Sequence, residues 1–409
     1  MASRINTIAG HLGPSSGNPR VDRLTAKHAD DIVVTCAKRT ALGKARKGAF
    51  AKCSSDELLI ATLKAAKKDI GIDPALVDDI VIGTVLTPGA PYAGRAASLT
   101  AGFPDTTPVQ IVNRFCSSGL MAVQAIANEI RNGEIDIGLA VGFEHMTANP
   151  DDGAPKLADE TMAMQVGQDC AKPMGWTSEQ VAGEFHISRE EMDAWAAQSH
   201  NRAEAAQNSG IFADEIAPVT INGTVVVKDD GIRPGTTPEK LAKLRGAFAQ
   251  WPPSQTTGGN ASQITDGGAY VLLMTRRRAE ELGLPILAKH VATTSIGLAP
   301  RIMGIGPSIA IPAILKRTGL TIEDVDMFEI NEAFSSMMVY CVKKLGLDPK
   351  KVNVNGGSIA FGHPLGCTGA RQVATGLNAI KRTHGKILVT SMCIGLGMGA
   401  AAVWVNEQE

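Results

Sequence analysis

A chain of 409 residues, 44% of them hydrophobic, is long enough to bury two or three ordinary domain cores. Its formal net charge of -1 excludes a global basic field for nucleic acid or an anionic membrane, and no apolar run reaches the ~18 residues of a membrane span. Seven cysteines without a CxxC pair argue against a disulfide framework or a structural zinc site, and 43 glycines beside 4% aromatics suit tight turns more than an all-β sandwich.

Residues 1–30 differ from the rest: they are polar and broken by Gly13-Pro14-Ser15-Ser16-Gly17 and Asn18-Pro19. Ahead of that break Arg4, Ile5, His11 and Leu12 fall on one face of a short helix. The spacing Arg-Ile-x5-His-Leu resembles the type 2 peroxisomal targeting signal, which an import receptor reads as an amphipathic helix. A mitochondrial presequence is the rival, because several basic residues precede the first acid, Asp22. A disordered tail is the third reading.

The ordered chain is expected to begin near Asp31. Ile32-Val33-Val34 reads as a buried strand and Arg39–Lys44 as the polar turn after it; Asp56–Lys68 reads as an amphipathic helix with Leu59, Leu63 and Ala66 inward. Ile80–Gly83 and Pro108–Val112 are further strands. The second breaks into Cys116-Ser117-Ser118-Gly119 and then a helix with Leu120, Val123, Ala127 and Ile130 on one face, stopped at Asn132-Gly133. Cys116 thus sits at a strand-to-helix turn, where unpaired N–H groups and the helix dipole favour thiolate and lower the thiol pKa. A lone Cys more often packs as a small hydrophobe, so this reading depends on the rest of the chain. Ile135–Gly142 adds another strand, and strands alternating with helices predict a parallel α/β sheet.

From about Ala148 to Ser262 the pattern changes. This stretch is more polar, holds Trp176, Trp195 and Trp251, and contains one clear helix from the capping box Ser188-Arg189-Glu190-Glu191 to Asn208-Ser209-Gly210. The remainder reads as turns and short strands. Such an insertion commonly covers or binds a ligand, although its basic run (Lys228, Arg233, Lys240, Lys243, Arg245) mostly suits a solvated face.

Regular α/β patterning resumes at Ala269–Met274. Val325–Ile330 then Ala333–Leu345 repeat strand and helix, Gly357–Gly369 leads into a helix at Ala370–Ile380, and Ile387–Thr390 precedes Cys393 as Leu139–Gly142 precedes His145. This weak internal repeat predicts two similar α/β lobes whose polar turns gather at strand carboxyl ends. Three turns there carry reactive groups: Asn331–Phe334, Gly362–Gly366 and Ser391–Gly399. A thiolate beside a His is the arrangement for covalent acyl chemistry. A second Cys, with a thiol pKa near 8.5, suits proton transfer at carbon, and the glycines after Cys393 let backbone N–H groups approach a carbonyl oxygen.

The blocks Asn113–Gly119 (NRFCSSG), Asn331–Phe334 (NEAF), Gly362–Gly369 (GHPLGCTG) and Cys393–Gly399 (CIGLGMG) resemble, in order, the signatures of the thiolase family; RPGTT at Arg233–Thr237 and GNAS at Gly259–Ser262 also fit. Ketoacyl synthases share that fold but pair one Cys with two His, or with a His and an Asn. The resemblance implies an α/β thiolase-like fold with two pseudo-symmetric βαβαβαββ halves, 31–147 plus 263–285 and 286–409, an inserted loop domain at 148–262, and a homodimer or tetramer. It further implies Cys116 as acyl-accepting nucleophile, His363 as its activator, and a water on Asn331 forming an oxyanion hole with His363. Cys393 becomes the acid/base at carbon, the N–H groups of Cys116 and Gly395 a second oxyanion hole, and Arg233 and Ser262 contacts to CoA. The reaction implied is 3-oxoacyl-CoA plus CoA giving acetyl-CoA and a shortened acyl-CoA, with CoA as co-substrate and no metal or other cofactor. HPLGCTGAR at His363–Arg371 resembles the degradative members, which with the N-terminal signal points to peroxisomal β-oxidation. Phe361, Val354 and Leu396 depart from common family residues and leave chain-length preference open. A biosynthetic acetoacetyl-CoA thiolase and a non-catalytic lipid carrier are the alternatives.

Overall fold

The computed structural model describes residues 18–409; Arg4, Ile5, His11 and Leu12 lie outside the described residues. The chain between residues 18 and 30, expected to be linker, instead folds back onto the C-terminal half. A helix at Pro19–Thr25 is capped by the Asn18 side chain, Arg20 pairs with Asp324 at 3.0 Å, Arg23 donates to the Thr318 carbonyl and Lys289 to that of Ala26. Polar anchoring of a short segment leaves no apolar periodicity to read.

The N-terminal half builds β1 (Ile32–Arg39), β2 (Gly43–Lys44), β3 (Asp79–Gly83), β4 (Val109–Val112) and β5 (Ile137–His145), with helices α1 (Ser55–Asp69), α2 (Ala90–Ala101) and α3 (Ser118–Asn132) between them. The insertion contributes α4 (Met174–Glu184), α5 (Arg189–Asn208) and a hairpin of β6 (Val219–Ile221) and β7 (Thr224–Val226), and β8 (Thr265–Thr275) returns to the sheet. The second half follows with β9 (Ala288–Gly297), α6 (Gly306–Thr318), β10 (Met327–Ile330), α7 (Ser335–Leu345), α8 (Thr368–Thr383), β11 (Ile387–Ile394) and β12 (Met398–Asn406).

Strand order runs β10-β11-β12-β9-β1-β8-β5-β3-β4, and the strands of the two halves pair at Val33–Lys289 and Val34–Ala288. Within each half the order and sense agree. β3 is parallel to β4 and β5, and β5, β8 and β1 then alternate antiparallel. β10 is parallel to β11 and to a single bridge at Val352, and β11, β12 and β9 alternate antiparallel. The sheet is therefore mixed rather than parallel, because β11 returns through a three-residue loop into β12, which only an antiparallel pair permits.

Two helices lie at the centre. Leu120, Val123, Ala127 and Ile130 of α3 are buried as their spacing predicts, and Gly133 at φ +73° ends the helix. α8 buries residues on every side, including Thr368, Arg371, Gln372 and Thr375. Their first turns cross where only hydrogen fits: a Cβ on Gly119 would stand 2.5 Å from the Gly366 carbonyl, and one on Gly369 2.9 Å from Leu120 Cα. That crossing brings the Cys116 turn against the turn that follows His363.

Two further expectations change. Arg39 is not in a polar turn but ends β1 with no exposed surface, bound to Glu215 at 2.6 Å and Asp229 at 2.7 Å, and so ties the insertion to the core. Helix α4 was not anticipated, because its buried face carries Ser178, which bonds Thr256 and Ser336, and Glu179, which accepts from the Gln255 and Thr256 N–H groups, in place of an apolar stripe.

Candidate active site

β4 delivers the chain into a tight turn. Phe115 N–H donates to Asn113 Oδ1 at 3.0 Å and Arg114 N–H to Ser118 Oγ at 2.9 Å, and these bonds hold Phe115 at φ +45°, unusual for an aromatic residue. Cys116 follows at the start of α3, with 7% exposure. Burial pushes its thiol up to about 11; N–H groups of Gly395 and of Cys116 itself pull it down only in part. The expectation of a lowered thiol pKa is thus overturned: removal from water outweighs the helix start. Cys116 needs a base to become a nucleophile.

His363 is held as a neutral imidazole. Its Nε2 lies 3.2 Å from Asn331 Nδ2 and its Nδ1 2.6 Å from Thr368 Oγ1. Burial, and then the nearby Arg371 cation, push it down to about 3, so it is neutral across the physiological range. Asn331 comes from the end of β10, where its N–H donates to the Ser391 carbonyl at 2.9 Å and its Oδ1 accepts from Ser358 at 2.6 Å.

Cys393 lies within β11, opposite Gly399, rather than in the turn after it. Its Sγ donates toward Met337 Sδ at 3.3 Å. Burial raises this thiol well above its ordinary range, and the nearby Cys116 and Cys341 raise it further, so a resting value near 8.5 does not hold. A thiol that keeps its proton is poised as an acid. Gly395 opens the hairpin loop, where Leu396 at φ +68° and Gly397 at φ +87° turn the chain and a Gly395 N–H faces the Cys116 sulfur. Cys116, His363, Asn331, Cys393 and Gly395 therefore gather at one place.

Arg233 and Ser262 lie on the insertion's return. Arg233 donates to the Gly258 carbonyl at 3.1 Å, and Ser262 N–H to Ala333 O at 3.0 Å, two residues beyond Asn331. Both are half-buried, while Lys228, Lys240, Lys243 and Arg245 are exposed. Two buried carboxylates escaped the sequence reading. Glu144 at the end of β5 accepts from Val85, Leu86 and Gly366 N–H groups at 2.9–3.0 Å and from Thr84, which locks the loop after His363 to the other half. Glu332 binds Trp195, Ser199 and Asn353, holding α5 against the Asn331 loop. A charge inside an apolar strand was the available signal for Glu144.

Residues 32–277 match the thiolase N-terminal domain and residues 284–406 the thiolase C-terminal domain, so the chain belongs to the thiolase family. It is 48% identical over 418 residues to the peroxisomal 3-ketoacyl-CoA thiolase of Yarrowia lipolytica, covering 99% of this chain and 100% of that protein. Among solved structures it is similar to the dimeric peroxisomal thiolase of Saccharomyces cerevisiae, with TM-score 0.90 and 46% identity, covering 94% of this chain and 100% of that one. The human mitochondrial 3-ketoacyl-CoA thiolase is also similar, with TM-score 0.83 and 35% identity over 93% of this chain and 100% of that one.

Proposed function

We propose that this chain catalyses CoA-dependent cleavage of 3-oxoacyl-CoA to acetyl-CoA and a shortened acyl-CoA in peroxisomal fatty-acid β-oxidation. The observation that carries the reading is the gathering of three buried groups, the neighbouring thiols of Cys116 and Cys393 and the neutral His363, whose following turn packs against the turn after Cys116. His363 takes the Cys116 proton, and the sulfur attacks the 3-oxo carbon. The C2–C3 bond breaks, the acyl group stays on Cys116, and Cys393 protonates the departing acetyl-CoA carbanion. The CoA thiol then returns a proton to Cys393 and attacks the acyl-enzyme, and His363 gives its proton back to Cys116. With CoA as co-substrate the steps balance without an oxidant or reductant.

Support for the oxyanion holes comes from the Gly395 N–H beside Cys116 and from Asn331 beside His363. Arg233 and Ser262 are assigned to CoA on the family motifs they match. Higher identity to the peroxisomal relatives than to the mitochondrial one supports the compartment, and Arg4, Ile5, His11 and Leu12 are the residues we assign to the import receptor. The relative described as dimeric, and the open outer edge of β4, support a homodimer. Among the described residues no helix is long and apolar enough to cross a membrane.

Mass spectrometry after incubation with acyl-CoA should place the acyl group on Cys116. Cys393→Ala should still form that acyl-enzyme, while α-proton exchange of acetyl-CoA falls about 10²–10⁴-fold. Acylation of Cys393 instead would reverse the two roles. Residues 1–30 fused to a fluorescent protein should enter peroxisomes and Arg4→Glu should abolish this; delivery to mitochondria would overturn the import assignment.

A further inference from the structure

Behind His363 lies a buried line of hydrogen bonds. Arg371 Nη2 reaches Ser358 Oγ at 3.0 Å, Ser358 Oγ reaches Asn331 Oδ1 at 2.6 Å, and Asn331 Nδ2 reaches His363 Nε2 at 3.2 Å. On the other side of the ring, His363 Nδ1 reaches Thr368 Oγ1 at 2.6 Å, and Thr368 Oγ1 reaches the Pro364 carbonyl at 2.9 Å. Each of these side chains is buried.

The ends of the line settle its direction. A guanidinium only donates and a carbonyl only accepts. Ser358 accepts from Arg371, so its single O–H goes to Asn331 Oδ1, which turns the Asn331 amide N–H toward His363 Nε2. Thr368 spends its single O–H on Pro364, so its oxygen accepts from His363 Nδ1–H. The reversed line would leave the Ser358 proton without an acceptor and strip Pro364 of its donor, both inside the core.

We propose that Thr368, with Ser358 and Arg371 at the far end, is a positioning residue that sets the tautomer of His363. The proton sits on Nδ1, and the Nε2 lone pair, which accepts from the Asn331 amide at rest, takes the Cys116 proton once that contact yields. Arg371 is anchored for this task by Glu329 at 3.4 Å and by the Phe361 ring, whose centroid lies 5.2 Å from the guanidinium carbon. Thr368 is the first residue of α8, so the helix that carries the central crossing also orients the base. The inference rests on His363 serving as the base for Cys116.

The test is a long-range proton–nitrogen correlation spectrum of the full chain labelled with [15N]histidine, with His363→Gln used only to identify the signal. The wild-type signal should be that of the Nδ1–H tautomer. In Thr368→Val it should move toward Nε2–H, with kcat for thiolysis falling about 10²-fold, and Thr368→Ser should restore the tautomer and bring kcat back to within about threefold. An Nε2–H tautomer in the wild type, or an unchanged tautomer in Thr368→Val, overturns the proposal. The wild-type spectrum decides even where Thr368→Val fails to fold. An Nδ1–H signal in a protein without thiolytic activity would sink the functional reading and leave the tautomer assignment standing.

Discussion

Gly119→Ala probes the link between the central crossing and the reaction. The added Cβ would stand 2.5 Å from the Gly366 carbonyl oxygen and 2.9 Å from Ala370 N, both backbone atoms. Reaching ordinary contact at 3.4 Å requires the turn after His363 to retreat by the difference, 0.9 Å. Gly366 is pinned by Glu144 at 2.9 Å, so the strain is shared between that bond and the Cys116 turn. Overpacking of this kind costs about 1–3 kcal/mol. With an unfolding entropy of about 0.9 kcal/mol/K for 409 residues, Tm should fall by only about 1–4 °C. The kinetic effect should be larger: misplacing a reacting group by about 1 Å costs on the order of 10²-fold. Thiolysis followed by loss of the 3-oxoacyl-CoA absorbance, with thermal unfolding by circular dichroism, reads both. Gly376→Ala in α8 is the control, because its Cβ meets only side-chain atoms of Leu388 and Glu329 at 2.8–3.2 Å, which can move. Gly119→Ala with kcat within about threefold of wild type, on a scale where misplacement costs 10²-fold, would refute the claim that this crossing holds Cys116 and His363 in register.

Three other outcomes follow from the same geometry. In the wild type, alkylation of Cys116 by iodoacetamide should climb about tenfold per pH unit toward the thiol pKa of about 11, whereas acyl-enzyme formation at neutral pH should need His363; acylation at the wild-type rate in His363→Ala would remove His363 as the base. Arg39→Met should lose about 3–5 kcal/mol in urea unfolding, because Glu215 and Asp229 would remain buried without their cation. His290 is held neutral by burial, its pKa pushed from 6.5 to about 3, so the unfolded chain takes up a proton there first as pH falls. Stability should therefore drop between pH 6.5 and about 3, by up to about 1.4 kcal/mol per unit from this residue, and His290→Leu should flatten that slope.

The reading of α3 succeeded because an amphipathic helix writes its burial into spacing: Leu120, Val123, Ala127 and Ile130 face one way whatever they pack against. The capping box at Ser188 worked for a similar reason, since a cap is a contact between residues three apart, and α5 begins there. Helix α4 and the segment at Pro19–Thr25 were missed because their anchors are polar side chains whose partners lie far along the chain. The same limit applied to the site. Glu144 and Glu332 bind partners more than 100 residues away in sequence, such as Gly366 and Trp195, so even the charge that stands out in the apolar strand at Glu144 does not say what it holds.

Residue type and order determined the parts that local chemistry controls: which strands lead into Cys116 and Asn331 and which one carries Cys393, that two halves repeat one pattern, and that these segments hold a thiol, an imidazole and a second thiol. Tertiary structure alone decided the charge states of those parts. A helix start favours a thiolate, yet burial to 7% exposure puts Cys116 at about 11, and enclosure beside Arg371 puts His363 at about 3. Desolvation depends on everything that surrounds a group, and the surroundings here come from both halves and the insertion together. The sequence could therefore offer Cys116 and His363 as candidate nucleophile and base, but only the fold sets the charge state in which each is held.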